Sequence, residues 1–199
     1  MRVRHPPGRA GRPWLVHRLA VARRGAELLD EKFRALVRER ARLEPEAARA
    51  RAEWDRCARE AERWLTRAAI MSGERDVALA AAAVAVPTDV TVRWRTILGV
   101  SCPFEALQAG PPRSAPIGGA ALLSAADAHR RAVQAALRVA VAEGALRRID
   151  AELRATRLRR NAIQRTWIPA HEEALRTLEL ALEELEREDG ARLRRVTRA

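Results

Sequence analysis

An apolar stripe repeating at alternating steps of four and three residues limits what this chain can fold into. It runs through Leu15, Leu19, Ala22, Ala26, Leu29, Phe33, Leu36, Arg40, Leu43, Ala47, Ala50, Trp54, Cys57, Ala61, Trp64, Ala68 and Met71, broken by the single charge of Arg40. Steps of this kind place every member on one side of an α-helix, the seam of a heptad repeat. On a helix otherwise crowded with Arg and Glu, so narrow a stripe cannot bury itself and requires a partner of similar length.

The C-terminal third provides one. Leu146, Ile149, Leu153, Thr156, Arg160, Ile163 and Trp167 follow the same steps. Past Pro169 the phase slips, continuing through His171, Leu175, Leu178, Leu182 and Leu185, and we read the slip as a stutter that relaxes the supercoil. Two in-chain arms of matching length predict an antiparallel hairpin, with Leu15 near Val196, Met71 near residue 140, and Arg40 within about a turn of His171, Glu172 and Glu173. The fold class expected is all-α: a long two-helix coiled-coil hairpin, its central insert lying at the end opposite the termini.

The expected divisions are a flexible basic tail over 1–12, a first helix over 13–76 opened by Pro13, an insert over 77–121 and a second helix over 122–199. Pro45 falls on the outer face, where a kink would spare the seam. Within the insert, the alternation Val90, Val92, Trp94, then Ile97, bounded by Pro87, Gly99 and Pro103, predicts short strands in a hairpin. The stretch from Gln108 to Gly119 reads as loop.

Composition agrees with a thin body. Alanine dominates the apolar share, aromatics are 4% and tyrosine is absent, so a thick core is not available. The net charge of +12 is carried almost wholly by arginine, Lys32 being the one lysine. Acid and base alternate along both arms, which points to a solvated, salt-bridged face more than to a phosphate-binding stripe. Cys57 and Cys102 form no CxxC pair and read as buried thiols. The Ala- and Val-rich run from Val77 is too short to span a bilayer, and the opening residues lack the apolar segment of a secretory signal.

Motifs of catalysis do not emerge. No P-loop surrounds Lys32. His171 and Glu172 begin an HExxH-like pattern, but position 175 is leucine, so the second zinc ligand is missing. The residues point to a non-enzymatic chain with no cofactor, no metal site and no catalytic residue.

Four stretches carry a family resemblance. The segment RLAVARRGAELLDEKFRAL, through Ala22, Arg24, Gly25, Leu28, Leu29, Lys32 and Leu36, resembles the opening helix of the D-subunit of the V-type and A-type rotary ATPases. RRNAIQRTWIP, through Arg159, Arg160, Asn161, Ala162, Ile168 and Pro169, is similar to that family's R-R-x-N-A segment, with the spacer before Asn absent. The ending LEELEREDGARLRR matches at Glu184, Glu186, Arg187, Glu188, Arg192 and Leu193, and the central ILGVSCP at Gly99, Val100 and Pro103. Gly25 marks either the close approach of a neighbour or a plain inner-helix glycine, and Gly190 interrupts the last helix.

The resemblance implies a rotor axle standing in a catalytic hexamer of catalytic and non-catalytic subunits. It would bind the small F-subunit of the stalk and seat on the linker subunit of the membrane ring, peripheral to the membrane on the cytoplasmic side, with ATP handled on the hexamer. As bearing residues toward the hexamer we single out Arg9, Arg12, Arg24, Arg192, Arg194, Arg195 and Arg198. For contact with the small stalk subunit or the lower stalk we single out Trp64, Val90, Val92, Trp94, Ile97, Val100 and Leu137. Two other readings stay open: a basic coiled-coil arm for nucleic acid, supported by the charge and opposed by the interleaved acids, and a purely structural coiled coil that homodimerises.

Overall fold

A computed structural model describes residues 3–84, 89–109 and 119–196. Two long helices pack against each other, with a small antiparallel two-stranded insert between them in sequence. Helix α1 spans Gly11–Ser72, α2 Glu74–Val84, β1 Asp89–Ile97, β2 Val100–Ala109, α3 Ala120–Ala162 and α4 Ile168–Val196; a π-helical turn, Ile163–Trp167, joins the last two. The chain divides into two compact units, one holding residues up to 35 with those from 153 onward, the other residues 36–152.

The stripe read on α1 is the buried seam. Leu15, Leu36 and Ala68 are fully buried, and Leu19, Ala26, Leu43, Ala47, Cys57 and Ala61 nearly so. Met71 departs from this, being 76% exposed, because the helix ends one residue later at Ser72, ahead of Gly73, whose φ of +82° suits glycine alone. Pro45 stands exposed and α1 runs through it without interruption.

In the first unit, the antiparallel register is set by Arg12 Nε to Glu179 at 2.9 Å, Arg23 to Glu172 at 2.7 Å and Arg160 to Asp30 at 2.9 Å. Leu15 thus lies near Leu178, well short of Val196, and the expected register is corrected by several turns. Gly8–Ala10 forms a 3₁₀ turn, α1 begins two residues before Pro13, and Gly11 is buried where a Cβ would come within 2.4 Å of the Pro6 carbonyl oxygen and 2.9 Å of Leu178.

The π turn corrects the stutter reading. Continuing the 3–4 steps from Ile163 and Trp167 would bring positions 170, 174, 177 and 181 to the seam. Instead His171 and Leu178 are buried and Leu175 and Leu182 half-buried, each one residue late. A π turn holds one residue more than an α turn, and absorbing that residue is what keeps α4 in phase with α1. Trp167 and His171 stack across the junction with ring centroids 3.4 Å apart, and His171 Nδ1 donates to the Trp167 carbonyl at 2.9 Å. Leu185 is 54% exposed, so the seam ends before it, while Gly190 lies inside an unbroken α4.

In the second unit, Arg40 meets Asp150 at 2.8 Å and Glu44 at 2.9 Å, not the expected His171, Glu172 and Glu173. Arg51 with Glu143 and Arg131 with Glu60 continue the same register. Ala68, Ala121, Leu122 and Ala125 form a small-residue cluster joined by Trp64, Val77 and Ala80 of α1 and α2. Further along α3, Ala128, Ala135 and Ile149 are fully buried. Small seam residues allow the two helices to approach closely.

Strands β1 and β2 pair antiparallel from Asp89↔Ala109 to Ile97↔Val100, with a bulge between Arg93 and Trp94 where Phe104 has no opposite number. Pro103, lacking an amide hydrogen, sits at this irregularity, where the ladder loses least. The turn at Leu98 and Gly99 takes positive φ at both residues, 52° and 80°, the twist a two-residue hairpin favours. The hairpin leans back along the side of α3: Cys102 and Pro103 are buried, the position of a Cβ on Gly144 lies 3.2 Å from Pro103, and Arg148 donates to the Ser101 carbonyl while stacking 4.6 Å over Trp94.

Candidate functional site

The chain presents surfaces more than clefts. Among the described residues no group of three or more His, Cys, Asp or Glu side chains is placed to hold a metal ion, and no helix is long and apolar enough to cross a membrane.

The first candidate surface is the arginine-rich terminal region. Arg9 reaches Glu186 at 3.3 Å, Arg12 reaches Glu179, Arg24 pairs with Glu27 at 3.2 Å, and Arg192 lies 3.6 Å from Glu188 and 3.8 Å from Asp189. Arg194 and Arg195 are exposed on α4, and Arg198 lies outside the described residues. Four of the predicted bearing arginines are therefore already paired with carboxylates of their own chain. Exposed pairs of this kind contribute about 0–1 kcal/mol each, so they fix register more than they stabilise.

The second surface is the hairpin. Period-two alternation puts Val90, Val92 and Trp94 on one face of β1, 46%, 39% and 50% exposed. Ile97 and Val100 close the turn as a half-buried pair. The other two predicted contacts lie apart from this face: Trp64 is half-buried against the alanine cluster with Arg67 4.9 Å from its ring, and Leu137 is half-buried on α3.

One residue escapes a reading of the sequence. Leu98, at the tip, is a non-glycine residue in the left-handed region and is 45% exposed. Asn or Gly would adopt that conformation at less cost, so Leu98 holds an exposed apolar side chain where a less strained residue would serve the turn alone. Its only sequence signal is its place before Gly99 in the predicted turn. Gly25, by contrast, has nothing within 4 Å of a Cβ position, so no neighbour within the chain requires glycine there.

Both thiols are held above their ordinary range by burial, Cys57 with a further contribution from its hydrogen bond to Glu53. A thiol kept protonated is a poor nucleophile. Asp30 is held below the usual carboxylate range, first by the hydrogen bond from Arg34 and then by Arg160, against an opposing effect of burial. Because the folded form holds its proton less tightly than the unfolded form, Asp30 contributes stability that is present above its unfolded pKa. That stability is lost as pH falls through the lower folded value. Asp30→Asn should therefore flatten the acid limb of the first unit's stability profile, leaving little difference from the parent chain once pH is below the folded value; urea titrations at several pH values measure it, and an unchanged limb would show that Asp30 plays no such part.

Comparison with known proteins supplies the context for these surfaces. A family model described as the D-subunit of ATP synthase matches residues 15–198. The D-subunit of the A-type ATP synthase of Thermococcus gammatolerans is 33% identical over 189 residues, spanning 92% of this chain and 88% of the relative. The D-subunit of the V-type ATP synthase of Thermus thermophilus is 36% identical over 182 residues, 89% and 81% of the two chains, and its counterpart in Anaeromyxobacter sp. is 35% identical over 199 residues, 97% and 93%. With almost its whole length matched by these relatives, and with the paired helices and central hairpin in place, the chain belongs to the ATP synthase D-subunit family of A- and V-type ATPases.

Proposed function

We propose that this chain is the central-stalk rotor subunit of a V- or A-type rotary ATPase or ATP synthase, a non-catalytic shaft that carries rotation between the catalytic hexamer and the membrane ring. The observation that carries the reading is the full-length match to relatives named as the D-subunit of such complexes. The physics of the chain is compatible with it. A shaft has to resist torsion, and helices held in antiparallel register within each unit, with an alanine-rich seam in the second, suit that need. Its partners are then the catalytic and non-catalytic subunits of the hexamer, the small stalk subunit, and the linker subunit of the membrane ring, with the complex peripheral to the membrane on the cytoplasmic side.

On this reading the exposed face of Val90, Val92 and Trp94, extended by Leu98 at the tip, receives the small stalk subunit or the lower stalk. One side of the hairpin is already packed on α3, and the apolar exposure that remains on β1 and the turn favours a covering partner. Co-expression with the same genome's small stalk subunit, followed by size-exclusion chromatography with light scattering, tests the proposal. A one-to-one complex weakened by Val92→Glu supports it. A chain that elutes alone, or with nucleic acid that only high salt removes, would replace the rotor with the nucleic-acid arm.

A further inference from the structure

Between Glu152 and Glu172 the chain carries five arginines and no acid, unlike the interleaved charge elsewhere on its helices. Arg160 turns inward to Asp30 and stacks 4.8 Å from the Phe33 ring. Arg154, Arg157, Leu158, Asn161 and Arg165 follow one another at steps of three, one, three and four, a spacing that gathers them on one helix side. That side faces away from the seam, since Leu153 and Thr156 are buried while Arg154, Arg157 and Arg165 are exposed and Leu158 is 70% exposed. Among the described residues no carboxylate forms an ion pair with Arg154, Arg157 or Arg165. Arg165 belongs to the π turn, a deformation frequent at functional sites.

We propose that this face, and not the terminal arginines, is the contact through which the shaft takes up torque, docking against a carboxylate-rich surface of the protein ring around it; the proposal rests on the rotor reading. Charge distinguishes the two regions. Arg9, Arg12, Arg24 and Arg192 are each paired with a carboxylate of their own chain, which lowers the net field they offer an external partner. Three guanidinium groups with no carboxylate partner among the described residues produce a local positive field that an outside anion can satisfy. The face is short, about 17 Å at the helical rise, and is bounded by Glu172 and Glu152. An exposed leucine stands at its centre. A compact protein patch with an apolar middle fits these limits better than a nucleic-acid backbone or a lipid surface, each of which would extend over both acids.

The test compares three forms of the chain, each bound to the small stalk subunit and offered to the catalytic hexamer of the same genome: the parent, Arg154→Gln/Arg157→Gln/Arg165→Gln, and Arg9→Gln/Arg12→Gln/Arg192→Gln. We expect the first triple variant to bind the hexamer about tenfold or more weakly at low salt and to lose most of the salt dependence of association. Its far-UV circular dichroism and its complex with the small stalk subunit stay unchanged, and the terminal triple variant binds like the parent. Replacing the same three arginines with lysine, which keeps the charge, should retain most of the association rate. Equal hexamer binding by parent and mid-arm variant overturns the proposal while leaving the rotor reading standing. Failure of the parent itself to bind either the hexamer or the small stalk subunit overturns both. Binding of mixed oligonucleotides or anionic vesicles that depends on these three arginines, with no hexamer binding, gives the face to that ligand instead.

Discussion

Inserting one alanine after Gln164 should destabilise the first unit by about 4 kcal/mol or more, whereas deleting Gln164 should be nearly neutral. The asymmetry comes from the π turn. It already accommodates one residue beyond what the 3–4 repeat admits, and the residues after it reach the seam one position late: His171 and Leu178 buried, Leu175 and Leu182 half-buried. Deleting Gln164 moves these four onto positions 170, 174, 177 and 181, where an uninterrupted heptad places them, and the turn can close as ordinary α-helix. The half-buried Trp167 moves with them, at a small cost. An insertion leaves two residues to absorb and rotates α4 by about 100°, turning the imidazole and three leucines from α1 toward water. Each buried leucine is worth about 1.5–3 kcal/mol, less where burial is partial. Urea denaturation, with hydrogen exchange of the amides of α1 near Leu15 and Leu19 as a local probe, distinguishes the two. Equal losses for insertion and deletion would mean that the turn does not carry the phase.

Leu36→Ala and Ile149→Ala should each cost about 2–5 kcal/mol, as truncations that leave cavities in a closely packed seam. Both side chains are fully buried in the second unit. Met71 satisfies the same heptad arithmetic but is 76% exposed, so Met71→Ala should change stability by less than ~0.5 kcal/mol. Comparing the three midpoints at constant m-value separates seam membership by burial from membership by spacing. A Met71 variant as damaging as Leu36→Ala would restore the seam that spacing alone predicts and contradict the observed helix end.

The α1 seam is legible in the sequence almost to its last residue because spacing alone decides which side of a helix a residue occupies. Met71 is the exception because Gly73 ends the helix, and a terminal glycine does not reveal how far packing continues before it. The hairpin is legible from Val90, Val92 and Trp94, while the bulge at Phe104 is not, since one extra residue leaves the alternation of the other strand untouched. Register differs from expectation by several turns. Heptads repeat identically every seven residues, so many alignments of the two arms bury equal stripes; the choice falls to particular pairs such as Arg40 with Asp150 and Arg23 with Glu172, which spacing does not rank. The phase slip near Pro169 is visible, but a stutter and a π turn leave similar traces in a single sequence. As for the surfaces, the arginines of the termini stand out by density, yet Arg9 and Arg12 are engaged with Glu186 and Glu179. The acid-free run around Leu158 is less conspicuous, because three of its arginines sit inside a recognisable motif and a field belongs to no single motif.

A rotor must turn against its hexamer. A cysteine placed at Arg63, on the exposed face of α1, can carry a bead on a complex whose hexamer is fixed to glass, the native Cys57 and Cys102 being buried and held protonated. On adding ATP, the bead should rotate steadily in one direction, and stop when the nucleotide is withdrawn. A bead that stays fixed relative to the hexamer, in a complex that hydrolyses ATP at full rate, would contradict the rotor reading and make this chain a static brace.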